Sequence, residues 1–128
     1  TPQNPAISIH SNQGVTFDLQ ALLQTIPGGK ILRFTSLFGV SETLAQIPSF
    51  DSEADLNSGK VNCWVLIDGK ERFNRNSISY QEGAIEITVD ISEQDRFLTL
   101  VVTESDDRRA YDWALFAKPF LRIEMNRN

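Results

Sequence analysis

The stretch VNCWVLIDGKERF, from Val61 to Phe73, contains a β-hairpin signature around which the other segments can be arranged. Strand-favouring residues fill Val61–Ile67, Asp68-Gly69 follows, and a second run of polar and apolar residues comes next. Asp-Gly between two such runs favours a type I′ turn, because both central residues of that turn need a positive φ. Apolar residues occur on both faces of the first run, which predicts a central strand or one covered on both sides.

Several other short runs have the residue pattern of strands that could pair with this hairpin. The clearest is Ala84–Ile91, in which isoleucine and valine alternate with polar residues. About eight short strands with turn signals every 8–12 residues are typical of an all-β sandwich. The further strands are predicted at Ala6–His10, Val15–Phe17, Ile31–Phe38, Phe97–Thr103, Trp113–Ala117 and Phe120–Met125, with Lys118-Pro119 separating the last two.

One helix is predicted, early in the chain at Asp18–Ile26. Asp18 is a good N-cap, since its carboxylate can accept backbone N–H groups of the first turn. Leu19, Leu22, Leu23 and Ile26 recur at helical spacing and form an apolar stripe. The stripe predicts packing against a sheet, and the Pro-Gly-Gly sequence that follows should end the helix.

Length and composition predict one soluble globular domain that neither binds nucleic acid nor inserts into a membrane. The chain has 128 residues, 41% hydrophobic and 23% charged, with a net charge of -5. Its scattered lysines and arginines form no basic stripe, and no apolar run approaches the ~20 residues that span a bilayer. The chain begins at Thr1 and shows no signal peptide. We therefore expect a module excised from a larger protein, with residues 1–5 as a linker remnant and 6–128 as a single β-sandwich domain.

Residues for catalysis are scarce, so the sequence does not predict an enzyme. His10 is the single histidine, and no Ser-His-Asp set can be assembled without it. Asp106 and Asp107 are adjacent, whereas a glycosidase needs two acids that face each other across a cleft. Cys63 alternates with valine and isoleucine, which indicates a buried small hydrophobe rather than a nucleophile.

The long loop at 39–60 carries acidic residues at alternate positions. Asp51, Glu53 and Asp55 offer oxygen ligands at a spacing similar to that of a calcium loop. The EF-hand pattern is incomplete, because Leu56 occupies the position of the obligatory glycine. A non-EF structural calcium site and a solvated acidic loop therefore both remain open, and no other cofactor is expected.

An aromatic and polar set on the hairpin and on a late loop could bind a sugar. An aromatic face covers the apolar C–H side of a pyranose, while aspartate, asparagine and arginine pair with its hydroxyls. Each tryptophan could instead belong to the core, since tryptophan is highly buried on average. The candidate carbohydrate-binding residues are Trp64, Arg72, Asp107, Arg109, Tyr111, Asp112 and Trp113.

Five sequence blocks occur in an order and spacing that a known family shares. They are GVTFDL (14–19), ILRFTSLFGV (31–40), WVLIDGKERF (64–73), FLTLVVTESDD (97–107) and YDW (111–113). On these blocks the chain resembles the NPCBM family of carbohydrate-binding modules, which is similar to carbohydrate-binding module family fifty-one. The Asp-Trp pair within YDW matches the family's pair near the end, whereas Ala110-Tyr111 stands where the family often has Asp-His.

The resemblance implies a galactose-binding-domain-like jelly-roll β-sandwich, here with one short N-terminal helix. It also implies a non-catalytic module attached to larger, usually secreted or cell-surface bacterial multidomain proteins, including glycoside hydrolases. Loops at one end of that fold usually hold the sugar, and a structural calcium ion is common. We therefore expect an extracellular, periplasmic or cell-surface location and, as partners, carbohydrate and other domains of the parent chain.

Two functional hypotheses follow. The first is an accessory module that binds a terminal galactose-type sugar and performs no chemistry. The alternative is a structural or protein–protein interaction module without a sugar ligand, which predicts an exposed apolar patch or sheet edge. An enzyme would instead need a deep cleft with converging acids.

Overall fold

Two four-stranded antiparallel sheets account for most of the fold in the computed structural model, which describes residues 6–10, 12–40, 60–78, 83–104 and 113–125. One sheet, called sheet A here, has the order β1-β8-β3-β6, and the other, sheet B, has the order β2-β7-β4-β5. The elements are β1 (Ala6–His10), β2 (Gln13–Asp18), α1 (Leu19–Gln24), β3 (Gly29–Val40), β4 (Val61–Ile67), β5 (Lys70–Ile78), β6 (Ile85–Asp90), β7 (Phe97–Glu104) and β8 (Trp113–Met125).

The predicted hairpin is confirmed as β4–β5. Asp68 has a φ of 51° and Gly69 a φ of 80°, the positive values that a type I′ turn requires. β4 lies between β7 and β5, so the predicted central position of this strand is also correct.

The hairpin is the innermost of four nested strand pairs. β4 pairs with β5, β3 with β6, β2 with β7 and β1 with β8, all antiparallel. The four pairs are thus nested like the rungs of one long antiparallel hairpin, and they alternate between the two sheets. Within each sheet, a further antiparallel ladder joins two of these pairs: β3 with β8 in sheet A and β4 with β7 in sheet B. This arrangement confirms the jelly-roll β-sandwich.

The core lies between the sheets and follows the alternation of the strands. On β4, Val61, Cys63, Val65 and Ile67 are all buried, as predicted from their common face. The alternation in β6 is confirmed as well, since its isoleucines and valine are buried and its polar residues are exposed. Burial raises the pKa of the Cys63 thiol to about 12, which agrees with a packing role.

Helix α1 is confirmed but is shorter than predicted, since it ends at Gln24. The Asp18 carboxylate accepts hydrogen bonds from the backbone N–H groups of Gln20 and Ala21, both at 3.1 Å. The Thr25 hydroxyl donates to the carbonyl of Leu22 at 2.7 Å and so satisfies one group of the last turn. The side chain of Leu19 is buried and anchors the helix to the core.

Stability should depend on the ionisation of Asp18 at acid pH. The hydrogen bond from the Ala21 N–H, and then the Arg96 guanidinium at 3.4 Å, hold the pKa of this carboxyl below its ordinary value of 3.8. The ionised group therefore stabilises the fold above the unfolded-state pKa, and this contribution is lost as the pH falls through the lower folded-state pKa. Wild type and Asp18→Ala should differ in unfolding free energy at pH 7 and converge toward pH 2. Urea titrations at several pH values would measure this, and a gap independent of pH would contradict it.

The prediction of two separate final strands is wrong, because Trp113–Met125 forms the single strand β8. Lys118 has a φ of 49°, and the pairing with β3 shifts register at this position. The result is a β-bulge. Proline has no backbone N–H to donate, and the bulge leaves Pro119 out of the hydrogen-bonded ladder with β3. The Ser36 hydroxyl donates to the Ala117 carbonyl at 2.9 Å and holds the bulge in place.

Candidate functional site

The strands before and after the two longest connections have their ends at the same end of the sandwich. Val40 at the end of β3 pairs with Ala114 of β8, and Val61 at the start of β4 pairs with Glu104 of β7. The described strand ends between which the chain segments 41–60 and 105–112 run are therefore paired neighbours within each sheet. We call this end of the sandwich the loop end.

Most of the predicted site residues lie outside the described residues. These are Asp107, Arg109, Tyr111 and Asp112, together with the calcium candidates Asp51, Glu53 and Asp55. Trp113 opens β8 opposite His10 of β1, and its side chain is outside the described part. All these residues belong to, or directly follow, the chain segments that begin at the loop end, and both their grouping and their roles remain predictions.

Trp64 is half-buried on the outer face of sheet B, opposite the core face of β4. Its indole N–H donates to the Thr103 hydroxyl at 3.3 Å, and the Asn62 side-chain amide donates to the same oxygen at 3.2 Å. The Asn62 carbonyl oxygen accepts the backbone N–H of Ser77 at 3.0 Å. These bonds hold the tryptophan ring on β4 three residues from Val61, near the loop end.

The cluster of Trp64, Asn62 and Thr103 is the described part of the candidate site. Asn62 and Thr103 were absent from the predicted set, although both lie on strands that the sequence predicted. Their pairing needs the β4–β7 register, in which Asn62 lies opposite Thr103 and Trp64 opposite Val101. The cluster combines an aromatic face with amide and hydroxyl groups, a combination suited to a polyhydroxylated ligand.

Arg72 makes different contacts, and none of its described partners is shared with Trp64. Its Nη2 donates to the backbone carbonyl of Asp90 at 2.8 Å, and its Nη1 lies 3.7 Å from the Asp95 carboxylate. β5 and β6 are edge strands of different sheets, so the guanidinium joins the two sheets near the hairpin turn. The structure therefore does not bring Arg72 and Trp64 into one cluster.

The described residues include no group of three or more histidine, cysteine or acidic side chains that could hold a metal ion. The predicted calcium ligands Asp51, Glu53 and Asp55 lie outside that part of the chain, and a calcium site there stays a prediction. In the part of the chain that is described, no helix is long and apolar enough to cross a membrane.

Solved carbohydrate-binding modules match the fold over most of the chain. The CBM51 module of Clostridium perfringens GH95, solved in complex with methyl-galactose, has a TM-score of 0.72 and 18% identity, and the match covers 91% of this chain and 69% of that one. The CBM51-2 and INT domains of Clostridium perfringens ZmpB have a TM-score of 0.71 and 18% identity, covering 92% and 22%. The tandem CBM51 modules of the family 98 glycoside hydrolase from Streptococcus pneumoniae have a TM-score of 0.68 and 18% identity, covering 96% and 32%.

These likenesses concern the fold, and the chain spans less than a third of the last two matched chains. No curated protein matches the chain in sequence. The nested strand order defines the fold as a jelly-roll β-sandwich, which these solved CBM51 modules share. The model of the NPCBM/NEW2 domain matches residues 7–122, and the chain belongs to that family. The predicted family is thus confirmed.

Proposed function

We propose that the chain is a non-catalytic carbohydrate-binding module that recognises a terminal galactose-type sugar. The observation that carries this proposal is the family match over residues 7–122. Two of the similar structures add the ligand class, since one was solved with methyl-galactose and another, from ZmpB, with GlcNAc. The module would act as an accessory domain of a larger, secreted or cell-surface bacterial protein.

The proposed site extends from the Trp64 cluster to the loop end. The indole ring would cover the apolar side of a pyranose, while charged and aromatic groups of the late loop would contact its edge and hydroxyls. Besides Trp64, the site would comprise Asp107, Arg109, Tyr111, Asp112 and Trp113. Arg72 was also predicted to belong to it, but its described contacts are with Asp90 and Asp95. Binding alone needs no general acid or base, so the scarcity of histidine is no obstacle.

The first experiment is a glycan-array screen of the purified chain with and without calcium, followed by calorimetric titration with methyl-galactose and N-acetylglucosamine. We expect binding to a defined terminal sugar. Dependence on calcium would support Asp51, Glu53 and Asp55 as metal ligands, and independence would leave them as a solvated acidic loop. A folded sample that binds no glycan would contradict the proposed function.

Variants then locate the site. Trp64→Ala, Arg109→Ala and Tyr111→Ala should each weaken sugar binding by about tenfold or more, because each removes a stacking or charged contact. Thr103→Val keeps the indole ring and removes the hydroxyl that Trp64 and Asn62 share, so this variant should bind sugar more strongly than Trp64→Ala. Unchanged affinity in both Arg109→Ala and Tyr111→Ala would place the site elsewhere.

Arg72→Gln tests the one residue for which the sequence and the structure suggest different roles. As a link between sheet edges, Arg72 should contribute to stability and leave sugar affinity unchanged when replaced. As a sugar ligand, it should reduce affinity when replaced. Thermal unfolding and calorimetry on the same sample separate the two results.

The interaction-module alternative is also supported by one observation. Among the described residues, Phe120 is 55% exposed and Phe17 is 38% exposed, and both line an apolar groove. This groove lies toward the opposite end of the sandwich from the loop end, so the two functions are compatible in one module.

A further inference from the structure

An apolar groove of about 240 Å³ opens between helix α1 and the second half of β8. Its base is formed by buried core residues, namely Leu19, Phe34 and Leu98. Phe17 and Phe120 form its rim. We call this feature the α1–β8 groove. It is large enough for one or two side chains and exposes part of the core to solvent.

The rim of the groove leaves large apolar side chains in water. Phe120 is 55% exposed and Phe17 38%, among the highest values for large hydrophobic residues in the described part of the chain. A contiguous apolar surface that leads into a cavity is a feature of protein-binding sites. Single exposed apolar side chains are common on protein surfaces. The groove between Phe17 and Phe120 is what distinguishes this surface as a candidate binding site.

The geometry of β8 favours insertion of a side chain over addition of a strand. β1 pairs with β8 only as far as Ala117, and no described strand pairs with that edge from Lys118 onward. The bulge at Lys118 and the adjacent Pro119 interrupt the regular strand geometry of this edge, as in strands that avoid pairing with other chains. A partner would therefore bind mainly through side chains placed in the groove.

The charges beside the groove indicate the chemistry of that partner. Lys118 and Arg122 are exposed on either side of Phe120, and neither forms an ion pair with another described residue. Arg96, by contrast, already contacts the Asp18 carboxylate at 3.4 Å. Asp18 is the charged residue that lines the groove, and its carboxylate is already engaged by Arg96 and two backbone N–H groups. Lys118 and Arg122 lie directly before and after the lining residues 119–121 and outnumber the nearby exposed acid Glu124, so this part of β8 carries a small net positive charge.

We propose that the α1–β8 groove binds a segment of a partner protein in which large apolar side chains are flanked by carboxylates. The apolar side chains would enter the groove over Leu98, and the carboxylates would contact Lys118 and Arg122. An anionic membrane fits less well, because two cations attract such a surface only weakly and the rest of the chain is acidic. The site is separate from the loop end, so a bound partner would leave the sugar site free.

The test is an NMR titration of the ¹⁵N-labelled chain with three peptides. The first is Ac-EDLFDE-NH₂, the second has serine in place of leucine and phenylalanine, and the third has lysine in place of the acids. We expect the first peptide to shift the amides of α1 and of residues 118–122, and the other two to bind at least about tenfold more weakly.

Matched variants assign the binding to the groove. Phe120→Ser and Arg122→Glu should each weaken binding of the first peptide by at least about tenfold. Phe97→Ser should not, since Phe97 is also exposed, at 39%, but does not line the groove. All three substitutions are at exposed positions, and thermal unfolding will verify that each variant is folded.

Several outcomes would overturn the proposal. One is the absence of amide shifts with the first peptide, and another is equal binding of the lysine peptide. Binding to vesicles of three parts phosphatidylcholine to one part phosphatidylglycerol, abolished by Phe120→Ser, would assign the surface to lipid. A dimer in light scattering that Phe120→Ser dissociates would assign it to a second copy of the chain.

Discussion

Phe38→Ala should lower the free energy of unfolding by about 3–5 kcal/mol, the largest effect that we expect from a single substitution in this chain. Phe38 is fully buried and lies directly opposite Phe116 in the β3–β8 ladder. The two rings meet edge to face, with centroids 4.9 Å apart and planes inclined by 63°. Truncation would remove both the buried area and this aromatic contact and would leave a cavity between the sheets.

Urea unfolding followed by tryptophan fluorescence would measure the loss. Phe38→Leu keeps most of the volume and should cost clearly less than the alanine variant. Phe97→Ala is the matched surface control, because Phe97 is 39% exposed, and it should cost less than about 1 kcal/mol. Similar losses for Phe38→Ala and Phe97→Ala would show that the core does not have the packing described.

Asp68→Ala should lower the free energy of unfolding by about 2–4 kcal/mol, because Asp68 stabilises the hairpin turn in two ways. Its carboxylate accepts the backbone N–H of Phe97 at 2.8 Å and that of Arg96 at 3.2 Å, which anchors the turn to the start of β7. Its φ of 51° is also a conformation that aspartate tolerates better than alanine.

Two further substitutions separate these causes. Asp68→Gly removes the carboxylate but adopts the positive φ freely, so it should recover the part of the loss that is due to backbone strain. Asp68→Asn keeps one acceptor oxygen and the tolerance for positive φ, so it should be the mildest of the three. Equilibrium urea titrations rank them, and equal stability of Asp68→Ala and wild type would disprove the anchoring role.

The elements that sequence analysis predicted correctly are those with local causes. The β4–β5 turn follows from Asp68-Gly69, the start of α1 from the Asp18 carboxylate, and the buried faces of β4 and β6 from period-two alternation. The family assignment is likewise supported by ordered local blocks. The turn, the start of the helix, the buried faces and each sequence block depend on residues within a few positions of one another.

The errors and omissions have non-local causes. Lys118-Pro119 resembles a break between strands, but the chain continues through a bulge that a hydroxyl 81 residues away, on Ser36, stabilises. Helix α1 ends before its apolar stripe does, because Thr25 caps the last turn. The candidate site was only partly predicted, since Asn62 and Thr103 become neighbours of Trp64 only through the β4–β7 register.

By itself, the sequence determined the hairpin, the faces of the strands, the helix cap and the family. Only the tertiary structure determined which strands are partners, that Arg72 joins the two sheets, and that an apolar groove remains between α1 and β8. The physical reason is the range of the interactions. Turn conformation and side-chain alternation are set by neighbouring residues, whereas pairing, ion contacts and cavities depend on segments that are distant in the chain and meet only after folding.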